Sequence, residues 1–284
     1  TIGANRMVLL SQGDKAKYYR TDSTSTPILL DEFKKVISAY ISHEKKGMIL
    51  GQPDGFMTLY DIYREKIIKK KKAHDSPLTQ VSILGNPQYF FVTGSSDKSL
   101  KVWDSRYNQT ARMVGMKDQI ISIDPNPRTG QIAVACGDLN PRIWSASGKL
   151  LLKLDDQPDS TLSVSLSPSG GYLLSTHSDN SEKLWKDGAM ISVSYHQAPV
   201  TCSVFISEKR YATGDKNGII KIWETGQLKE VLKGHRASIS ALCTDNKGDF
   251  FSSSLDGNVF KWLSSSAQLH YDLTESEKKR FNIL

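Results

Sequence analysis

One feature of the chain limits its fold more than any other: it repeats itself. An aromatic residue recurs six positions after an Asp or Asn, from Asp97 to Trp103, Asp138 to Trp144, Asp179 to Trp185, Asn217 to Trp223 and Asp256 to Trp262. Asp54 to Tyr60 fits with Tyr in the aromatic place, and Asp14 to Arg20 fits loosely with Arg there. The anchors at 20, 60, 103, 144, 185, 223 and 262 are therefore 38 to 43 residues apart. Self-similarity at that period signals an architecture in which one supersecondary unit is stacked on the next.

Each unit has the same internal order. A run such as Val200 to Phe205 is followed by a turn, a second run such as Arg210 to Thr213, the Asp or Asn turn, the anchor run, and a fourth run such as Leu228 to Leu232. Alternation of Val, Ile, Tyr and Trp with polar residues, broken by Gly, Pro, Asn and Asp, predicts four antiparallel strands per unit and almost no helix. Four strands cannot bury both faces alone, so the units must pack on one another. The 284 residues are then expected to form an all-β fold, a seven-bladed β-propeller of four-stranded antiparallel blades, as a single domain over 1–284. The first unit has Met7 to Leu10 as its second strand and no evident first strand. Lys279 to Leu284 is expected to supply it and close the ring, although Thr274 with Glu277 three residues on also reads as a helix capping box. The opening residues, Thr1 to Leu10, lack a Met start, a basic segment and a long apolar run, so they read as the start of an excised or processed piece, not as a signal peptide.

The residues now carry a resemblance. Trp103-Asp104 and Gly234-His235 are the two hallmark pairs of the WD-repeat family, which the chain resembles along essentially its whole length. In that family a His before the first strand, a Ser or Thr on the second, the turn Asp and the Trp form a hydrogen-bonded set. The resemblance implies such sets at His74, Thr93, Asp97, Trp103 and at His235, Ser252, Asp256, Trp262, with His196, Thr213, Asn217, Trp223 as a third in which Asn replaces Asp. The unit of Trp185 keeps Ser175 and Asp179 without a His; the unit of Trp144 keeps only Asp138. The resemblance also implies a non-catalytic scaffold for protein–protein interaction in an intracellular complex, cytoplasmic or nuclear, and one domain of a longer chain. Its partners would be proteins or peptides bound by loops gathered on one face. Exposed residues expected there are Asp75, Lys117, Asp118, Tyr195, Gln197, Lys216, Arg236 and Leu255, of which Tyr195 and Arg236 are types that dominate interfaces.

No pattern points to an enzyme, a cofactor or a metal. Nucleophile-elbow, phosphate-loop, zinc-protease, dinucleotide and kinase motifs are absent. His43, His177 and His270 stand singly, without a second ligand nearby, and Asp155-Asp156 reads as a solvated loop. Cys136, Cys202 and Cys243 lie far apart in apolar runs, as in a reducing compartment, and the sequon at Asn108 is read as chance. No run approaches the ~18 apolar residues of a membrane span. The charge is +7, from 37 Lys and Arg against 30 Asp and Glu. Its one concentration runs from Arg64 through Lys69, Lys70, Lys71 and Lys72 on an outer strand, with Lys34, Lys35, Lys45 and Lys46 in the same unit. Lysines on an edge protect it against strand addition. They also admit a second reading, RNA or another polyanion bound by a ribonucleoprotein assembly factor, though no aromatic is interleaved for base stacking. A third reading, the ligand-sensing propeller of a multidomain signalling NTPase, rests on the tail from Leu273 to Phe281, which is similar to segments that end some such bacterial propellers.

Overall fold

The computed structural model describes residues 36–262 apart from 43–46, 62–63, 86–89, 155–158 and 245–248, together with the backbone alone of strands at 2–3, 7–12, 15–20, 28–29, 41–42 and 270–271. Among the described residues all regular elements are strands. Two compact units divide the chain at 153/154.

The first unit holds four sheets in chain order. They are β1 (Ile2–Gly3), β2 (Met7–Gln12), β3 (Lys15–Arg20) and β4 (Ile28–Leu29); β5 (Ser38–Ser42), β6 (Gly47–Gly51), β7 (Phe56–Asp61) and β8 (Lys66–Lys72); β9 (Leu78–Ile83), β10 (Phe91–Ser95), β11 (Leu100–Trp103) and β12 (Gln109–Met113); and β13 (Ile120–Pro125), β14 (Gln131–Cys136), β15 (Arg142–Ser145) and β16 (Leu150–Lys153). The second unit holds three: β17 (Thr161–Leu166), β18 (Tyr172–His177), β19 (Ser181–Lys186) and β20 (Ala189–Tyr195); β21 (Val200–Phe205), β22 (Arg210–Asp215), β23 (Ile220–Glu224) and β24 (Gln227–Leu232); and β25 (Ile239–Thr244), β26 (Phe250–Ser254), β27 (Val259–Trp262) and β28 (His270–Tyr271). Every pairing is antiparallel between neighbours in sequence, so each sheet is a meander. The aromatic anchors all lie on third strands.

The expectation of seven four-stranded blades is corrected to six. Side chains are described for six blades, five of four strands and the last of three, β25 to β27. Strands β1 to β4 and β28 are defined by backbone pairing alone, which makes one further sheet and one further outer strand. Strands β1, β4 and β28 have two residues each, which leaves a single residue per face and no alternating apolar pattern. The first sheet also takes its first strand from its own N-terminal side, Ile2 pairing with Val8 and Gly3 with Met7. The segment from Lys279 to Leu284, expected to supply that strand, lies outside the described residues, as do the tail from Leu273, His43, Asp155-Asp156 and the four lysines at 34, 35, 45 and 46. His270 is described by backbone only.

The core lies between blades. Ile220, Ile222 and Leu232 of one blade pack on Ile239, Phe250, Phe260 and Trp262 of the next. Val92, Leu100, Val102 and Met113 pack likewise on Ile120, Ile132, Val134 and Trp144. Blades approach closely enough to need glycine: a Cβ on Gly94 would lie 2.6 Å from Ile123 Cδ1, and one on Gly214 2.7 Å from Ile239 Cγ2. Just before the anchor in five blades the third strand slips register against the fourth, at Leu59/Tyr60, Val102/Trp103, Ile143/Trp144, Leu184/Trp185 and Ile222/Trp223. Such a bulge re-aims a side chain, here the anchor ring into the interblade core.

Candidate functional site

Three blades contain a polar relay linking the indole to the loop end. Trp103 Nε1 donates to Thr93 Oγ1 at 2.9 Å, Thr93 Oγ1 meets His74 Nε2 at 2.8 Å, and His74 Nδ1 meets Asp97 Oδ2 at 2.8 Å. Since ionised Asp97 can only accept, the proton of the neutral imidazole sits on Nδ1 facing it, and Thr93, while accepting from Trp103, donates its own proton to His74 Nε2. Burial lowers the His74 pKa despite Asp97. Burial works against ionisation of Asp97 too, yet hydrogen bonds from Ser99 and His74 hold its carboxyl below the usual range. Trp262, Ser252, His235 and Asp256 repeat the arrangement, with Trp–Ser and Ser–His distances of 2.8 Å and His–Asp of 3.1 Å.

In the third set the acid is not Asn217. His196 Nδ1 faces Asp215 Oδ2 at 3.0 Å, while Nε2 meets Thr213 Oγ1 at 2.8 Å and Trp223 donates to the same oxygen. Asn217 contributes its backbone N–H to Asp215 Oδ1. Asp215 lies on β22, two residues after the hydroxyl, at the position where the other blades carry Ser95, Cys136, His177 and Ser254. An acid there reaches the same imidazole from the strand.

That position also explains His177. Trp185 donates to Ser175 Oγ at 2.8 Å, and the hydroxyl meets His177 Nε2 at 2.9 Å, so a His from within β18 serves the set that the sequence leaves without one. It is fully buried, and burial pushes its pKa down to about 4.

The Trp144 blade is built differently. Met116 stands four residues before the first strand where other blades carry His, and Val134 replaces the hydroxyl, so Trp144 Nε1 has no acceptor among the described residues. Arg142 becomes the partner of the turn acid: its guanidinium donates to both oxygens of Asp138 at 2.7 and 2.8 Å, to Asn140 O at 2.7 Å and to Cys136 Sγ at 3.1 Å. Burial opposes the charge on Asp138, but Arg142 outweighs it and holds the carboxyl well below its usual range. Burial pushes the Cys136 thiol up to about 12, which favours the neutral thiol that donates to Asp138 Oδ1. Asp215, Arg142 and His177 were legible as residues, but their roles depend on strand register.

At one end of the sheets beginning with β9, β13, β17, β21 and β25 the entering loop is bonded to the turn after the second strand. Backbone N–H groups of Ser96, Gly137, Ser178, Lys216 and Leu255 donate to the carbonyls of Pro77, Gln119, Ser160, Pro199 and Ser238 at 2.9–3.1 Å. All eight expected loop residues are exposed. Asp75, Lys117 and Asp118 belong to the first unit; Tyr195, Gln197, Lys216, Arg236 and Leu255 belong to the second. Within the second unit the loops of adjacent blades abut, because a Cβ on Gly218, at φ +81°, would lie 2.8 Å from His235 O and from Ala237 O. Tyr195 is 61% exposed and Leu255 76%, while the Arg236 backbone is pinned by Asp256 at 2.7 Å.

The lysine run forms β8, as an exposed outer strand, and its ammonium groups have neighbours. Lys69 lies over Tyr107 at 4.7 Å and Lys71 over Trp103 at 5.2 Å, both in the next blade, and Lys71 Nζ also donates to Tyr107 O. Lys70 and Lys72 cover Phe56, with Asp54 beside them. The aromatics absent from the run in sequence are thus supplied in space. They are occupied by the lysines themselves. Among the described residues no group of three His, Cys, Asp or Glu could hold a metal, and no helix is long and apolar enough to cross a membrane.

Comparison with known proteins agrees with this geometry. Residues 65–104, 190–224 and 226–262 match the family model described as WD domain, G-beta repeat. The mouse (Mus musculus) cilia- and flagella-associated protein 52 is 22% identical over 82% of this chain and 39% of its own length. A Dictyostelium discoideum WD repeat-containing protein 55 homolog is 25% identical over 78% and 45%. The protein transport protein sec13 of Emericella nidulans is 33% identical over 34% and 35%. The chain thus spans less than half the length of these relatives. Among solved structures, the crystal structure of the computationally designed Ika8 protein has a TM-score of 0.70 at 20% identity, covering 90% of this chain and 82% of that one, a likeness of fold.

Proposed function

We propose that this WD-repeat β-propeller is a non-catalytic protein-interaction scaffold whose partner docks on the loop end of the second unit. The observation that carries this reading is the contrast between rigid support and exposed anchors. Arg236 and Leu255 project from loops whose backbones are tied by Asp256 and Ser238, and Tyr195 stands beside buried His196. Anchors held in place lose little conformational entropy on binding, and Tyr and Arg are enriched among residues that carry binding energy. The His–Asp and Ser/Thr groups, by contrast, are turned inward and satisfy each other, so they stiffen the loops and do not face a substrate. Cys136 and Cys202 are buried thiols outside any disulfide, which supports an intracellular setting, cytoplasmic or nuclear.

The test compares the tagged parent with the double variant Arg236→Ala, Leu255→Asp in affinity capture with mass spectrometry. Proteins retained by the parent should be lost from the variant while its thermal midpoint is unchanged. Identical capture by both would refute docking at this end of the unit.

A further inference from the structure

The outer strand of a blade has a sheet neighbour on one side only, and five outer strands have described side chains. Four carry charge: β8 its lysines, β12 Arg112, β16 Lys153, and β24 Lys229 with Glu230. Strand β20 carries none in its seven residues, Ala189 to Tyr195. Met190, Ile191, Val193 and Tyr195 are 40–61% exposed. Ser192 and Ser194 are half-buried, opposite Leu184 and Glu182 of β19. A long, uncharged, β-branched edge is the form that accepts an added strand, and charges on edges ordinarily prevent it.

We infer that β20 is a docking edge for an extended segment of a partner protein, apolar or hydroxyl-bearing at alternate positions and acidic at its ends. Charge selects this occupant. Lys221 Nζ donates to Tyr195 O at one end of the strand, and Lys186 pairs with Ala189 in the sheet at the other, its Nζ 5.7 Å over the Tyr172 ring. Both ends therefore carry positive charge, which draws a segment flanked by carboxylates without a contact to Lys186 itself. Two copies of this chain paired antiparallel would set the Lys186 end of each against the Lys221 end of the other, offset only by Asp187 in the adjoining turn. Area argues the same way. A seven-residue strip is about 24 Å long and, at roughly 10 Å depth, buries roughly 500 Å² over both partners, far below the ~1,200 Å² of a stable contact between two folded proteins. One flexible strand does not need that area, because backbone hydrogen bonds supply its affinity.

The probe is a fluorescein-labelled decapeptide of alternating Val and Thr with Glu at both ends, titrated by polarisation against the full chain. Binding is expected and should weaken at least tenfold in the double variant Ile191→Lys, Val193→Lys. Val231→Lys on β24 should leave it unchanged. The same peptide N-methylated at every second residue should not bind the parent, an arm that holds even if the double variant folds poorly. No binding by the parent, equal binding of the N-methylated peptide, or a parent dimer that the double variant dissociates would each overturn the inference. Peptide binding retained by Arg236→Ala, Leu255→Asp separates this edge from the loop-end reading.

Discussion

At the scale of single residues, burial decides what each polar group is worth. Thr93 serves both His74 and Trp103, so Thr93→Val orphans two buried nitrogens and should lower stability by roughly 2–4 kcal/mol. The reverse change, Val134→Thr, offers an acceptor to the unpaired Trp144 N–H and should stay within about 1 kcal/mol of the parent, well below the usual cost of a buried hydroxyl. Urea unfolding of both variants checks the contrast. Glu182 makes a pH prediction. It is fully buried on β19, takes a hydrogen bond from Tyr211 of the next blade, and leaves Oε2 unpaired. Burial raises its pKa from 4.5 to about 8. The folded state therefore keeps a proton that the unfolded chain has released, and stability should fall by about 1.4 kcal/mol per pH unit as pH rises toward 8, then level off. His177 acts in the opposite sense below pH 6.5, where the unfolded chain binds the proton first. The window from 6.5 to 8 isolates Glu182, and Glu182→Gln should flatten the slope of unfolding free energy there; an unchanged slope would assign the effect elsewhere.

At the scale of elements, the same strand order accepts different polar chemistry. The Trp144 blade replaces an imidazole relay with a buried ion pair, Arg142 and Asp138, with side chains 5% and 2% exposed. Breaking one partner leaves an uncompensated charge, so Arg142→Ala should cost about 3–5 kcal/mol, whereas Arg142→Met with Asp138→Asn should cost less than that single change. A double-mutant cycle by chemical denaturation measures the difference. The β8 lysines belong to the same scale. Their ammonium groups lie over rings of their own and the next blade, so Lys69→Gln with Lys71→Gln should lower stability by roughly 1–2 kcal/mol. An unchanged denaturation midpoint would return those lysines to solvent.

At the scale of the molecule, burial falls from the second strand to the outer one in the five blades whose four strands have described side chains. Strands β10, β14, β18 and β22 are almost entirely buried, while β8, β16, β20 and β24 are mostly exposed. Local opening is easiest where few apolar contacts must break. Native-state hydrogen exchange should therefore protect second-strand amides most and fourth-strand amides least, blade after blade. Uniform protection across each sheet would mean that blades open as wholes. Recognition is then expected on surfaces that do not need the core to move, the tied loops and the outer edges.

The sequence by itself determined the all-β architecture, because a 40-residue period with Gly, Pro and Asp turns leaves few other ways to bury alternating strands. It also placed the anchors, while the sets of His74 with Asp97 and His235 with Asp256 were implied only by the family resemblance, and their hydrogen bonds are seen in the structure. Only tertiary structure decided the rest. Asp215 takes the role expected of Asn217, His177 serves Trp185 and Arg142 pairs with Asp138 because each depends on which groups the strand register brings within hydrogen-bond reach, which the linear sequence does not identify. The pairing of the lysine run with Tyr107 and Trp103 crosses from one blade to the next. The blade count, too, depended on packing: strands two residues long carry no period that a sequence can display, so whether they build a packed blade is settled by neighbours in space.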